Sequence, residues 1–396
     1  METPYDFTLF DALVNRIFKV DDVTAGTAKS PYLVRYRGQL RGESETAYDQ
    51  LSGWLKTYGV TPLFRLEQNR QTILLIPGLP TPKPSNPLIN LILAILTLIS
   101  VIYTGATFSM QEPLPSDFFQ AVLVIIANGW PFGLSILAIL GTHEFGHYLV
   151  GRYHGVHVTL PYFIPFPSMF GTMGAFINMK EPPKNRKVLL DIGVAGPLAG
   201  LVVAIPILLI GLAMSKVTPL HIVPGQGVQM EGNSILYLAS KFAIFGQLLP
   251  APASFGSTSP ILYWLRYFFT ATPFPMGGVD VNLSSVAWAG WAGLLVTAMN
   301  LIPAGQLDGG HMLYVLIGRE RARRVWPFVL GALVLLGLFW VGWWLWAGLI
   351  FLLGRAYAEP LDQITPLDTR RKVLAVIALI VFLLTFSPVP LTLMGI

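Results

Sequence analysis

The chain has 396 residues, of which 53% are hydrophobic and 12% charged, and its mean hydropathy is +0.60. Soluble domains are about a quarter charged, so an ordinary globular protein is excluded and a multi-pass α-helical membrane protein is expected. The net charge of +5 is small for this length, so the placement of Lys and Arg says more than their sum, and the lack of cysteine excludes disulfides and thiolate metal ligands.

Residues 1–80 carry frequent charges and short apolar runs, and read as a small cytoplasmic α+β domain. The start has neither a basic region nor an apolar core, so no secretory signal is expected, and its acidic, Ser- and Arg-poor composition argues against a plastid transit peptide. Residues 7–20 have helical periodicity and 32–37 alternate like a strand. A helix is expected over 44–58, with Ser44 as N-cap and Gly59 at its stop. Residues 61–67 and 71–76 read as a hairpin turning at 68–70. The stretch 77–84 is too rich in proline for regular structure, and a linker at 81–86 leads into residues 87–396.

About six to seven membrane segments are expected in that second part, near 87–103, 129–153, 188–214, 283–317, 326–340, 341–353 and 373–386. Residues 118–127 either lie at the interface or start the second span, and 326–353 form either one long tilted helix or a tight hairpin. Lys180, Lys184, Arg186 and Lys187 follow the second span, Arg319, Arg321, Arg323 and Arg324 the fourth, and Arg370, Arg371 and Lys372 precede the last. These basic loops are expected in the cytoplasm, with the amino terminus, whereas 105–128 and 216–282 are expected on the opposite side with the carboxyl terminus.

His143-Glu144-Phe145-Gly146-His147 interrupts the second apolar stretch. Polar side chains are costly in hydrocarbon, so they are functional candidates there. Residues four apart share a helix face, so His143 and His147 can reach one Zn²⁺, and Glu144 beside them can act as general base on a water that the metal activates. His143 lies nine residues before Arg152, about 14 Å from the cytoplasmic end of the span at ~1.5 Å per residue. A second polar cluster, Asn300-Leu-Ile-Pro-Ala-Gly-Gln-Leu-Asp308-Gly-Gly-His311, lies at a matching depth, and Pro303, Gly305, Gly309 and Gly310 are expected to loosen the helix there. Asp308 is the favoured third ligand and His311 its competitor, being nearer the aqueous boundary. Of the other histidines, His154 and His157 are expected in loops or at the surface, and His221 has no assigned role.

With these residues in place, the chain resembles the site-2 proteases, intramembrane zinc metalloproteases of peptidase family M50. His143-Glu144-x-x-His147 is similar to the first motif of that family, Asn300, Pro303 and Leu307-Asp308-Gly309 to its second, and Asp191–Gly200 to its Ala-Gly-Pro segment. The likeness covers roughly residues 87–390 and is strongest to the cyanobacterial and plastid branch without a PDZ domain. It implies that 87–396 is an intramembrane metalloprotease domain with a membrane-associated β-hairpin or re-entrant loop, cleaving a peptide bond within or near a substrate's transmembrane helix. Glu144 would be catalytic, His143, His147 and Asp308 would hold Zn²⁺, and Asn300 would position substrate or support the oxyanion, unless it only satisfies broken backbone near Pro303. Residues 174–178, with Gly174 and Phe176, either offer a strand edge to the unwound substrate or plug the cavity. Expected partners are the lipid bilayer and a transmembrane protein substrate, for example a membrane-tethered transcriptional regulator such as an anti-sigma factor, with no nucleic acid. The expected location is a bacterial cell membrane or a thylakoid, with the active site towards the cytoplasmic side. The competing readings are a catalytically silent relative that binds membrane proteins, which would not need Glu144, and a metal transporter, for which no paired repeat is visible.

Overall fold

The computed structural model describes residues 7–27, 29–68, 70–82, 84–110, 112–220, 228–273, 277–354 and 358–394. Its first part builds a small core from local patterns. α1 (Phe7–Ile17) turns Phe10, Leu13, Val14 and Ile17 inward, then gives way directly to β1 (Phe18–Ala25). The helical periodicity expected to 20 therefore stops earlier, because Phe18 and its successors pair with β2 (Val34–Leu40) in a register that starts at Phe18–Leu40. α2 (Ser44–Lys56) follows, but Ser44 is not its cap: Glu43 holds that position, and the Ser44 hydroxyl donates to Asp362 instead. β3 (Val60–Glu67) and β4 (Arg70–Pro77) form the expected hairpin, with Gln68 at φ 49° in its turn and Asn69 outside the described residues. The antiparallel sheet runs β1-β2-β4-β3, and α1 and α2 cover one face through Phe10, Tyr48, Leu51, Tyr36, Phe64 and Ile73.

Among the described residues, three helices are long and apolar enough to cross a membrane: α3 (Pro87–Ser109), α4 (Phe118–Tyr153) and α5 (Arg186–Ala213). Residues 118–127 belong to α4, which runs unbroken for 36 residues. α3 and α4 cross closely at Gly129, where a β-carbon would lie 1.8 Å from the Ile102 carbonyl oxygen. A short hairpin, β5 (Tyr162–Pro165) with β6 (Thr172–Phe176), fills the α4–α5 connection.

The weakly charged stretch after α5 is folded. β7 (Lys216–Pro219) pairs with β9 (Val279–Asn282), and β8 (Val228–Glu231) pairs with β10 (Leu391–Met394) from the far end of the chain. α6 (Ile235–Phe245) and α7 (Pro260–Thr270) pack beside them. Lys241 of α6 is fully buried there, its Nζ 3.9 Å from Glu231 Oε1, 3.8 Å from Asp280 Oδ1 and 4.5 Å from the Tyr237 ring centre. Burial pushes the Glu231 carboxyl up to about 7.

The expected fourth span over 283–317 is two pieces, α8 (Ser285–Asn300) and α9 (Asp308–Ile317), separated by a loop. Residues 326–353 are a tight hairpin, α10 (Arg319–Leu336) against α11 (Gly342–Leu353), in which Trp326 Nε1 donates to the Ile350 carbonyl (3.3 Å). The basic groups at 319–324 and 370–372 lie in the first turns of α10 and of α12 (Thr369–Thr385), not in loops. Trp343 anchors the hairpin, stacked on Phe386 and donating to the Pro388 carbonyl. The main core lies between α4, α5 and α8, around Phe132, Ile136, Leu208, Trp288 and Trp291.

Candidate metal centre

The buried face of α4 carries His143, Glu144 and His147 together. His147 Nδ1 faces the Ile192 carbonyl at 2.7 Å. A carbonyl only accepts, so Nδ1 holds the proton and Nε2 presents its lone pair. That lone pair meets His143 Nε2 at 3.2 Å, and Asp308 Oδ2 lies 3.4 Å from both nitrogens. Among the described residues this is the one group of three His, Asp or Glu side chains whose ligand atoms converge for a metal. Two imidazole nitrogens and one carboxylate oxygen are a donor set that zinc accepts, leaving a coordination position for water or substrate. Glu144 Oε1 stands 4.0 Å from His143 Nε2, outside the converging atoms.

Small residues make this convergence possible. At Gly196 of α5 a β-carbon would lie 2.1 Å from His147 Nε2, and at Gly146 it would lie 2.7 Å from the Ala195 carbonyl oxygen. α4 and α5 thus touch through glycines directly behind the imidazoles. Asp308 is the first residue of α9, and the loop before it folds back over that helix: a β-carbon at Gly309 would lie 2.0 Å from the Leu301 carbonyl oxygen. The two glycines after Asp308 therefore let the broken strand of backbone sit on its own helix while Asp308 reaches across to α4.

His143, Glu144, His147, Asp308, Asn300 and Phe176 line one cavity of about 450 Å³. Gly174 is not in its wall, and the Thr172 hydroxyl engages both its amide and its carbonyl. Asn178 lines the cavity, but its backbone is paired with Thr159. The part of the expected strand edge that faces Glu144 is thus residues 175–177. His311 also lines the cavity, with Nδ1 buried and without a hydrogen-bond partner, yet it lies outside the converging group. His154 pairs with Asp191 (2.9 Å) and His157 with Glu181 (2.7 Å), and His221 lies outside the described residues. Sequence reasoning missed Ile192 and Gln306, whose only signal was closeness to a motif, and Ala358, which had none.

Comparison with known proteins fits this arrangement. Residues 131–339 match Peptidase family M50. The chain is 27% identical over 96% of its length to the protein named "Probable zinc metalloprotease EGY2, chloroplastic" of Oryza sativa subsp. indica, and 28% identical over 97% to the EGY2 protein of Arabidopsis thaliana. It is 29% identical over 65% of its length to "Probable zinc metalloprotease EGY1, chloroplastic" of Arabidopsis thaliana, covering 43% of that protein. The chain spans 66% of the length of these EGY2 relatives. No solved structure matches it. More than half of the chain lies inside the family match, which takes in both His143–His147 and Asp308, and the protein therefore belongs to peptidase family M50.

Proposed function

We propose that this protein is an intramembrane zinc endopeptidase that hydrolyses a peptide bond in or near the transmembrane helix of a membrane-protein substrate. The observation that carries the reading is the meeting of His143, His147 and Asp308 beside Glu144 in a cavity walled by two of the three long apolar helices. His143, His147 and Asp308 would hold a zinc ion, which when bound would supply a Lewis acid to polarise the scissile carbonyl and make water nucleophilic near neutral pH. Glu144 accepts the proton of the attacking water on its carboxylate and delivers it to the departing amine nitrogen. Asn300, on the cavity wall at the end of α8, donates its side-chain amide to the substrate carbonyl. The exposed edge at 175–177 pairs with the unwound substrate, and Phe176, stacked on Tyr162, supports that edge.

The three apolar helices, with the basic first turns of α10 and α12 and the basic stretch before α5, support a multi-pass protein whose catalytic cavity lies nearer its basic face. Relatives named as chloroplastic support a plastid location, and the proposed site is a plastid membrane or a bacterial counterpart. A single-span protein, such as a membrane-tethered transcriptional regulator, is the proposed substrate class. The test is Glu144→Gln, reconstituted with a single-span substrate. Zinc content is expected to stay at the wild-type level while cleavage disappears; cleavage at the wild-type rate would remove Glu144 from the mechanism.

A further inference from the structure

The amino-terminal sheet does not end at β3. Residues 361–363 run parallel beside it: the Phe64 amide donates to the Leu361 carbonyl (2.9 Å) and the Gln363 amide to the Phe64 carbonyl (3.0 Å). On their other side, the amides of Leu361 and Asp362 donate to the carbonyls of Pro183 (3.0 Å) and Lys184 (2.8 Å). Three segments remote in the chain thus share one hydrogen-bonded layer. Asp362 at its centre is fully buried, and its carboxylate accepts from the Ser44 hydroxyl (2.9 Å) and from the amides of Ile364 (2.7 Å) and Thr365 (3.1 Å). Charge pairs surround the junction. Glu45 of α2 binds Lys187 (2.6 Å) and the Asn185 side chain (3.0 Å), and Asp49 binds Lys184 (2.7 Å). Arg65 donates to the carbonyls of Pro360 (3.0 Å) and Leu361 (2.9 Å).

Both segments layered beyond β3 lead directly into the cavity wall. Met179 precedes 183–185 and Ala358 precedes 361–363, and both line the cavity. Asn185 is also the N-cap of α5, accepting from the Val188 amide (3.1 Å). α5 then supplies Leu189, Ile192 and Gly193 to the wall, and the Ile192 carbonyl holds His147. Movement of the amino-terminal unit would therefore shift two parts of the wall at once. Besides the contacts of Leu361 and Ile364 with the amino-terminal core, the junction is made of backbone hydrogen bonds, one buried carboxylate and a rim of ion pairs, so it can part with less exposed apolar surface than a helix packed into the core.

We infer that the amino-terminal unit is a clamp whose Ser44 and Glu45, bound to Asp362 and to Lys187 with Asn185, position the walls of the catalytic cavity through segments 183–187 and 358–363 and so set how substrate is seated. They are positioning residues, remote from the reacting atoms, and the inference rests on the endopeptidase reading above.

The test is a charge exchange in the full-length, zinc-loaded protein. Glu45→Lys and Lys187→Glu are each expected to raise KM for a reconstituted single-span substrate roughly 3–10-fold, the scale of one or two part-exposed charge pairs, with kcat and zinc content held. Each is also expected to speed amide hydrogen exchange at 183–185 and 361–363, and the double exchange should restore both readouts. Asp49→Asn with Lys184→Gln provides a milder disruption should a reversal fail to fold. Faster exchange with unchanged KM overturns the inference, as does unchanged exchange in all variants. Parallel loss of zinc and kcat that the double exchange does not restore also overturns it, by reducing the junction to a fold element. A wild-type protein that cleaves nothing would refute the endopeptidase reading instead, while the exchange arm would still test the clamp.

Discussion

Replacing Gly196 by alanine puts a methyl group where the His147 ring now lies. The added carbon would sit 2.1 Å from Nε2, 2.4 Å from Cδ2 and 2.5 Å from Cε1. Ordinary carbon–nitrogen contact begins near 3.4 Å, so the ring must retreat by more than about 1 Å. The ring is the free end of a side chain, so the helices need not part, and overpacking of ~1–3 kcal/mol is partly offset by the ~1 kcal/mol that alanine gains over glycine in a helix. A metal ligand has no such latitude, since zinc–nitrogen bonds of ~2.0–2.1 Å tolerate about 0.2 Å of error. The retreat also strains the 2.7 Å hydrogen bond to the Ile192 carbonyl. Gly196→Ala is expected to fold with a melting temperature close to wild type while losing at least about 10–100-fold in zinc affinity, the range seen when the support of a ligand is disturbed. Competition against a graded chelator series measures this. Gly193→Ala is the control: its β-carbon would meet only His311 Cβ at 3.5 Å and the Asp308 carbonyl oxygen at 3.9 Å, which is normal packing. It should keep zinc and gain up to about 1 kcal/mol of stability. Wild-type zinc affinity in Gly196→Ala, or equal losses in both variants, would refute the reasoning.

Asp308→Asn should lower zinc content sharply, because Asp308 Oδ2 is the atom that meets both imidazoles, whereas His311→Ala should keep most of it; metal analysis of the purified variants reads the difference. Phe176→Pro removes an amide from the edge facing Glu144, and is expected to raise KM for an extended substrate while leaving zinc binding intact; unchanged cleavage would argue against strand pairing. Glu231 is harder to ionise when folded because it is buried and faces Asp280, against the opposing pull of Lys241 and of the Tyr237 hydroxyl that donates to it; Tyr267 of α7 also faces Glu231, and Tyr263 faces Asp280. Its raised carboxyl means that the stability it contributes is complete below about 4.5 and declines as pH rises through about 7. Thermal melts should show that decline, and Glu231→Gln, which keeps an acceptor for the Tyr237 hydroxyl, should flatten it.

The polar half of the site was legible because its residues break apolar stretches. His143 and His147 are one helical turn apart, and Asp308 could be matched to them by depth even though it lies on another helix. Periodicity, by contrast, reads one segment at a time. It could not tell that Phe18 would leave α1 for a strand, since the partner at Leu40 decides that, nor that 301–307 would separate α8 from α9 outright. The buried Glu231–Lys241–Asp280 group joins three elements whose charges look like isolated surface residues in the sequence. The layer at 361–363 is built from backbone hydrogen bonds, which leave almost no side-chain signature, so Ala358 gave no sign of its place beside the cavity, nor Asp362 of its place in the layer.

That layer also bears on how the protein is made. β3 is an edge strand, and residues 361–363 cover its Phe64 edge. During synthesis the amino-terminal sheet can form early, but its covering segment emerges only after α3 to α11 have been made. For that interval the nascent chain presents an unpaired strand edge, a template for pairing with other chains. Safe biogenesis then depends on how soon the later segments fold, and a chaperone that shields a strand edge would serve this chain during that interval.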